Sequence, residues 1–267
     1  MNVTRLAIVT THPIQYNAPL FELIAQRNII EIKVFYTWGE SVLENKYYPG
    51  FGKVIEWDIP LLKGYNYEFL ENIAEDKGSH HFKGIDNPHI IEAIKKFNPD
   101  AILVYGWSFK SHLKVLRYFK NKVPVLFRGD STLLDKSSFL SSLKRNLFLR
   151  WVYRHVDIAL YAGKSNKAYF KKFGLQESQL VFAPHAVDNN RFAFDGAAGT
   201  QIRNSLQIPQ EAIVFLFAGK LEQKKNPGLL LHRLDVLSGP VLKLILKFKP
   251  FQKALKHPNF CNFKIWK

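Results

Sequence analysis

Between Phe215 and Leu231 the sequence FLFAGKLEQKKNPGLLL sets Lys220, Lys224 and Lys225 in a polar turn between two apolar stretches. The apolar run Ile213 to Ala218 ends at Gly219, and a helix is expected to open near Pro227, where a missing backbone donor costs little. Strand, basic turn and helix in that order bring cations and free N–H groups to one spot. The chemistry they suit is the binding of an anion such as a phosphate. The competing reading is a solvated lysine turn between two core elements.

Other residues of chemical interest lie in loops. His12, in Thr11-His12-Pro13-Ile14-Gln15-Tyr16-Asn17, could contact a phosphate or another ligand group, or serve only the turn. Tyr105, Trp107 and Ser108 could wall a ligand site, although large aromatics at strand ends more often pack. Arg128-Gly129-Asp130-Ser131 offers a cation and a carboxylate, and Asp130 could act as a base, orient a ligand or cap the next segment. His185 reads as hinge structure. For His80-His81 a metal site is not expected, because adjacent side chains point apart in a strand and no carboxylate cluster supports them.

The elements that must position these loops are legible as short apolar runs alternating with helical patterns. Leu6 to Thr10, Ile30 to Tyr36, Val54 to Ile59, Ala101 to Tyr105, Pro124 to Phe127, Asp157 to Tyr161 and Leu180 to Phe182 read as strands. Helices are expected over Ala18 to Gln26, Asn87 to Phe97 with Asn87 as N-cap, Leu113 to Phe119, Ser137 to His155, and Lys164 to Phe173 with Gly174 closing the last. Leu61 to Gly84 reads as loop. This alternation implies a doubly wound, Rossmann-like α/β sheet, in which ligands bind beyond the carboxyl ends of the strands. The loops at His12, Gly106, Arg128 and His185 all follow such ends. A second α/β cycle is expected from a helix near Ile202 and the strand at Ile213, with Val241 to Phe248 as a further strand.

Composition narrows the function classes. The 267 residues are 47% hydrophobic, enough for a sizeable core, and carry a net charge of +16, which calls for an anionic partner. Residues 219–267 hold 11 Lys and Arg against 2 Asp and Glu, so the excess is concentrated there. No zinc-finger spacing or RNA-binding signature accompanies it, which argues against nucleic acid. One cysteine, Cys261, excludes an internal disulfide and suits a reducing compartment, and no apolar run reaches membrane-spanning length. A cytoplasmic protein is expected. The helix from Ser137 to His155 sets Phe139, Leu143, Leu147 and Trp151 beside Lys144, Arg145, Arg150 and Arg154. It is either an ordinary amphipathic helix or a contact with an anionic membrane.

Three stretches resemble the family 4 glycosyltransferases of the two-domain GT-B fold. Phe217-Ala218-Gly219-Lys220-Leu221 with Lys225-Asn226-Pro227 is similar to that family's strand–Gly–Arg–Leu turn and downstream Lys, with Lys220 in place of Arg. Pro184-His185-Ala186-Val187-Asp188 with Phe192 resembles its interdomain segment. Asp157-Ile158-Ala159, Ser165-Asn166-Lys167, Tyr169-Phe170 and Gly174 are similar to the strand and helix that close its first domain. The resemblance spans residues 1 to about 231.

The resemblance implies a retaining, nucleotide-sugar-dependent hexosyltransferase acting in cell-surface polysaccharide synthesis without a metal cofactor, with a glycan or lipid-linked acceptor. Gly219, Lys220 and Lys225 would hold the donor diphosphate. Lys keeps the charge of Arg but loses its bidentate fork. His12 and Asp130 would be catalytic, and Trp107, Ser108 and Arg128 would meet the acceptor. The implied layout is an acceptor-side domain over 1–190, a linker and domain start over 191–210, and a donor-binding domain over 211–267. That family's second domain carries two glutamates eight residues apart, whereas this sequence has no Glu after Glu222. The donor domain is therefore expected to be truncated by deletion or frame shift, with impaired activity. The alternative is a non-catalytic α/β binding module or membrane-associated remnant. The expected location is cytoplasmic, peripheral on the inner face of the cell membrane.

Overall fold

The structure is a computed structural model that describes residues 3–43, 47–48, 53–54, 57, 59–134, 139–191, 193, 196–209, 213–217, 225–226, 228–229, 242–246 and 264–265. The chain forms two compact units, Met1–Glu44 with Trp57–Asp188, and Asn45–Glu56 with Asn189–Lys267.

In chain order the elements are β1 (Thr4–Thr10), α1 (Ala18–Gln26), β2 (Ile30–Tyr36), the two-residue strands β3 (Tyr47–Tyr48) and β4 (Lys53–Val54), β5 (Asn66–Phe69), α2 (Ile90–Phe97), β6 (Ala101–Tyr105), α3 (Lys110–Phe119), β7 (Val125–Arg128), α4 (Phe139–Tyr153), β8 (Ile158–Tyr161), α5 (Lys164–Lys172), β9 (Leu180–Phe182), α6 (Gly196–Ser205), β10 (Ile213–Phe217), β11 (Leu242–Leu246) and β12 (Lys264–Ile265). The first unit carries a seven-stranded sheet in the order β5-β2-β1-β6-β7-β8-β9, with every neighbouring pair parallel. The order runs outward from β1 in one direction and then, from β6, in the other. This is the doubly wound Rossmann-like arrangement, and its reversal point lies between β1 and β6.

Alternate residues of each strand face opposite sides; β1, β2 and β6 are buried on both, whereas β7 and β8 bury one side and leave the other partly exposed. Ala7, Val9, Ile102, Val104, Val125, Phe127 and Ala159 pack against α2, α3, α4 and α5, whereas Ile8, Ile32, Val34, Tyr36 and Leu103 pack with Phe21 of α1. Burial on both faces is why these strands read as continuous apolar runs. The first face is rich in aromatic contacts. The Phe127 ring meets Tyr153 at 5.5 Å and Phe170 at 6.0 Å, both edge to face. At the end of α5, Gly174 takes φ +102, its N–H donates to the Lys171 carbonyl, and Leu175 N–H donates to the Phe170 carbonyl. These two bonds make the glycine-closed helix end that the sequence indicated.

Three expectations are corrected. Residues 66–69 are not loop but the edge strand β5. The run is short, lies between polar and Gly-containing segments, and gains its partners only by pairing with β2. Asn87 does not cap a helix. The helix starts at Ile90 with His89 as N-cap, while the Asn87 side chain is buried and donates to the carbonyls of Thr37 (2.9 Å) and Glu71 (2.7 Å). Of the strand expected over Val54 to Ile59, Lys53–Val54 pairs with Tyr47–Tyr48, Trp57 and Ile59 are not strand, and residues 55, 56 and 58 lie outside the described residues.

In the second unit, β10, β11 and β12 form a parallel sheet in that order. Parallel pairing requires a crossover between strands, and this is the start of a second α/β cycle.

The Phe127→Ala variant removes a ring that is 1% exposed from this cluster. A loss of about 3–5 kcal/mol is expected, read as a lowered urea midpoint with an unchanged slope.

Candidate functional site

The register fixes which loops stand side by side. Thr10 of β1 is abreast of Tyr36 of β2, and Val9 is abreast of Val104 of β6. Tyr105 in turn pairs with Arg128 of β7. The residues that follow, Thr11-His12, Thr37-Trp38, Gly106-Trp107 and Gly129-Asp130, therefore emerge in a row from the carboxyl edge. His12 and Trp107 flank the reversal point, where strands leaving for opposite faces open a crevice. Asp130 stands one strand further on, so its strand lies on the order of 10 Å from that of His12.

Beneath this edge is a buried polar knot that sequence reading did not single out. His112, on α3, is fully buried; its Nδ1 lies 3.0 and 3.1 Å from the carbonyl oxygens of Tyr105 and Gly106, and its Nε2 lies 2.8 Å from the Thr37 hydroxyl. Burial pushes the imidazole well below its usual range, to about 4, with the two carbonyls only partly opposing that shift. The ring is thus neutral at pH 7. With two carbonyls at Nδ1, the proton belongs there, and Nε2 accepts from the Thr37 hydroxyl. Thr37 N–H donates to the Thr10 carbonyl (2.9 Å), and the Thr37 carbonyl accepts from Asn87. Asn87 N–H donates in turn to the Ser111 hydroxyl at 2.7 Å. One histidine therefore links the ends of β2 and β6, and through Thr37 that of β1. The sequence signal was weak: His112 sits on the apolar face of a helix, where a satisfied core histidine is the ordinary expectation.

Of the residues indicated by sequence, His12 is half-buried, with Nδ1 2.9 Å from the Thr11 hydroxyl and its ring edge-on to Trp38 at 5.1 Å. The adjoining α1 has no acidic residue in its first turn. Trp107 packs edge-on against Phe148 of α4 at 5.4 Å and is partly exposed, and Ser108 is exposed beside it. Arg128 is drawn toward the segment after β9: its Nη1 donates to the Ala183 carbonyl at 2.7 Å, and Nη2 lies 3.5 Å from His185 Nδ1. Asp130 is exposed. Lys225 is exposed in the second unit, while Gly219 and Lys220 lie outside the described residues.

The argument against His80-His81 assumed strand geometry, and that assumption is corrected. Residues 75–81 turn, and both Nε2 atoms point at one carboxylate oxygen of Asp76, at 2.9 and 3.3 Å. No helix among the described residues is long and apolar enough to cross a membrane.

No protein-family profile matches the sequence, and no curated protein matches it. Solved structures do match in fold. HepE from Anabaena, solved in complex with UDP, superposes with a TM-score of 0.62 at 13% identity, covering 98% of this chain and 68% of that one. A glycosyltransferase from Rickettsia africae gives 0.61 at 11% identity, covering 100% and 68%. The UDP-GlcNAc 2-epimerase of Neisseria meningitidis, bound to UDP-GlcNAc, gives 0.52 at 15% identity, covering 99% and 72%. The shared feature is the Rossmann-like α/β fold of GT-B proteins.

The buried neutral histidine sets a pH dependence. Its folded-state value, about 4, lies below the ordinary 6.5, so the unfolded chain binds the extra proton between those values. The stabilisation is complete above pH 6.5 and is lost as pH falls toward 4, by on the order of 3 kcal/mol. In denaturant titrations from pH 7.5 to 4, His112→Gln is expected to start less stable and to decline less steeply than the native chain.

Proposed function

We propose that the chain is a nucleotide-sugar-dependent glycosyltransferase of the family 4 type, transferring a hexosyl unit with retention to a glycan or lipid-linked acceptor in cell-surface polysaccharide synthesis. The observation that carries this reading is the reversal of strand order between β1 and β6, with His12 and Trp107 in the segments that follow those two strands and Asp130 at the next strand end. The fold likeness to the UDP complex of HepE supports it.

In this reading the bond between the sugar's anomeric carbon and the donor phosphate breaks, a bond to the acceptor hydroxyl oxygen forms, and a nucleoside diphosphate leaves. Asp130 takes the hydroxyl proton, directly or through water. Lys220 and Lys225, with the Gly219 backbone, stabilise charge developing on the leaving diphosphate, so the protein itself supplies the cations. His12, held by Thr11 and Trp38, orients the sugar phosphate. Trp107, Ser108 and Arg128 line the acceptor side.

A membrane-associated role has its own support. α4 exposes Leu143, Leu147 and Phe148, and the preceding segment exposes Leu134 at 81%. Lys144, Arg145, Arg150 and Arg154 are exposed on or just after the same helix. Because Phe148 touches Trp107, this apolar and basic surface adjoins the acceptor edge. It suits an anionic membrane carrying a lipid-linked acceptor, which supports a peripheral position on the inner face of the cell membrane.

Calorimetric titration with UDP is expected to give saturable binding, weakened roughly tenfold or more by Lys220→Ala or Lys225→Ala. UDP affinity that ignores both substitutions would sink the donor-site assignment. Asp130→Asn is expected to leave UDP binding intact and to slow sugar transfer by roughly 10²–10⁴-fold.

Co-sedimentation with vesicles should rise with anionic lipid content and fall for Leu147→Ser with Phe148→Ser. Sedimentation indifferent to anionic lipid would remove the membrane reading.

A further inference from the structure

Between β5 and α2 the chain makes a tight excursion whose neck is built from buried polar contacts. The Asn72 side chain, 4% exposed, donates to the Gly84 carbonyl and accepts from the N–H groups of Ala74 and Asp86. Ile73 N–H donates to the Asp86 carbonyl, Gly78 N–H to the Gly84 carbonyl at 3.0 Å, and Gly84 N–H to the His81 carbonyl at 3.2 Å. The two strands of the excursion touch so closely that a Cβ on Gly84 would fall 2.2 Å from the Gly78 carbonyl oxygen. Three metal-ligating side chains project from this braced turn. An oxygen of the Asp76 carboxylate and one ring nitrogen each of His80 and His81 all lie within 4.8 Å of one another.

We propose that Asp76, His80 and His81 form a binding site for a borderline divalent transition metal, of which Zn²⁺ is the type. Two imidazoles and a carboxylate are a donor set that such ions take, in preference to Mg²⁺ or Ca²⁺, which favour oxygen ligands throughout. In a tetrahedral site with metal–ligand bonds near ~2.0–2.1 Å, neighbouring ligand atoms sit ~3.3 Å apart. The Nε2 atoms of His80 and His81 lie 2.9 and 3.3 Å from Asp76 Oδ2, so each histidine–carboxylate pair is already within a few tenths of an ångström of that spacing, and the two histidines each offer a nitrogen within 4.8 Å of the other. Without it, His80 Nε2 bonds to the Asp76 carboxylate at 2.9 Å and His81 Nε2 to the Asp76 backbone carbonyl at 3.0 Å. The ion would take the place of the protons on those two nitrogens.

Gly78 is what allows the His80 ring to take up this position. A Cβ there would stand 2.5 Å from His80 Nδ1, while the glycine backbone itself is not in a left-handed conformation. Alanine at 78 therefore displaces the ring and leaves the backbone unstrained. Three protein ligands leave at least one position open, and the side chains are substantially exposed, so solvent or an anionic oxygen of a bound molecule completes the shell. The inference is independent of the transferase reading. It concerns a turn beyond the carboxyl end of the edge strand β5, and its test involves no sugar.

The test is titration of the untagged full chain with Zn²⁺ against a metal-indicator dye, repeated with Co²⁺ for its visible absorption. One tight equivalent is expected, with Co²⁺ bands of a four- or five-coordinate nitrogen–oxygen site and no competition from excess Mg²⁺. His80→Ala with His81→Ala is expected to remove that equivalent. Gly78→Ala keeps all three ligands and is expected to weaken it by roughly tenfold or more. The proposal is overturned if the native chain shows no saturable Zn²⁺ binding, or if the double histidine variant binds as the native chain does. Unchanged binding by Gly78→Ala overturns the prearranged geometry on which it rests.

Discussion

Thr37 and His112 meet beneath the carboxyl ends of β1, β2 and β6, and the shape of the candidate site depends on that contact. At the reversal of strand order, β1 and β6 are neighbours whose following segments go to opposite faces. The gap that results exposes the last backbone groups of both strands on the inner side, away from water. Left unpaired there, each would cost on the order of 1–3 kcal/mol. His112 accounts for the Tyr105 and Gly106 carbonyls, Thr37 accounts for the Thr10 carbonyl, and Asn87 for that of Thr37. The loops bearing His12, Trp38 and Trp107 therefore spring from fixed points. A ligand bound at this edge would meet walls that are already ordered, which lowers the entropy lost on binding.

This arrangement separates two tasks along each strand. The middle of the sheet is apolar on both sides and supplies stability. The carboxyl edge carries the polar and charged groups, and the same hydrogen-bonded residues join the two. The amino ends are tied differently, by ions at the surface. Asp100 accepts from the Arg5 N–H at 2.7 Å, and Asp157 pairs with Lys120 while accepting from the Val125 N–H. These contacts, one exposed and one part-buried, set where the strands begin. Arg128 shows the division at one residue. Its backbone completes β7, and its guanidinium reaches across to Ala183, so a cation is held at the edge by a carbonyl, with no carboxylate paired to it among the described residues.

The turn at Asp76, His80 and His81 follows the carboxyl end of β5 and is organised mainly by polar contacts. Its order comes from backbone hydrogen bonds gathered by Asn72 and from two glycines that let chains approach. Such a segment is rigid without a core, which is the condition under which three exposed side chains hold a common focus. Long polar side chains on a loosely held loop would lose more entropy in converging than a metal bond to each could easily offset.

The sequence by itself determined the parallel α/β fold, because strands buried on both faces must be apolar at every position and helices packed on them must repeat with helical spacing. α1 and β2 were legible to the residue, as was the glycine at the end of α5. It also marked the loops after β1, β6, β7 and β9 as the place to look, since a parallel sheet collects all its crossovers' entry points at one edge. What only the tertiary structure decided was which distant groups share a hydrogen bond. Asn87 reads as a helix cap and is instead a strut 50 residues from its partner Thr37. His112 reads as core and is the pin of the site, and β5 is a strand only because β2 is beside it. Adjacent histidines diverge in an extended chain and converge in a turn, and the turn is made by Asn72 and the glycines around it. Local pattern encodes burial and periodicity. Pairing between buried polar groups depends on where the chain returns, and that information exists only once the sheet has formed.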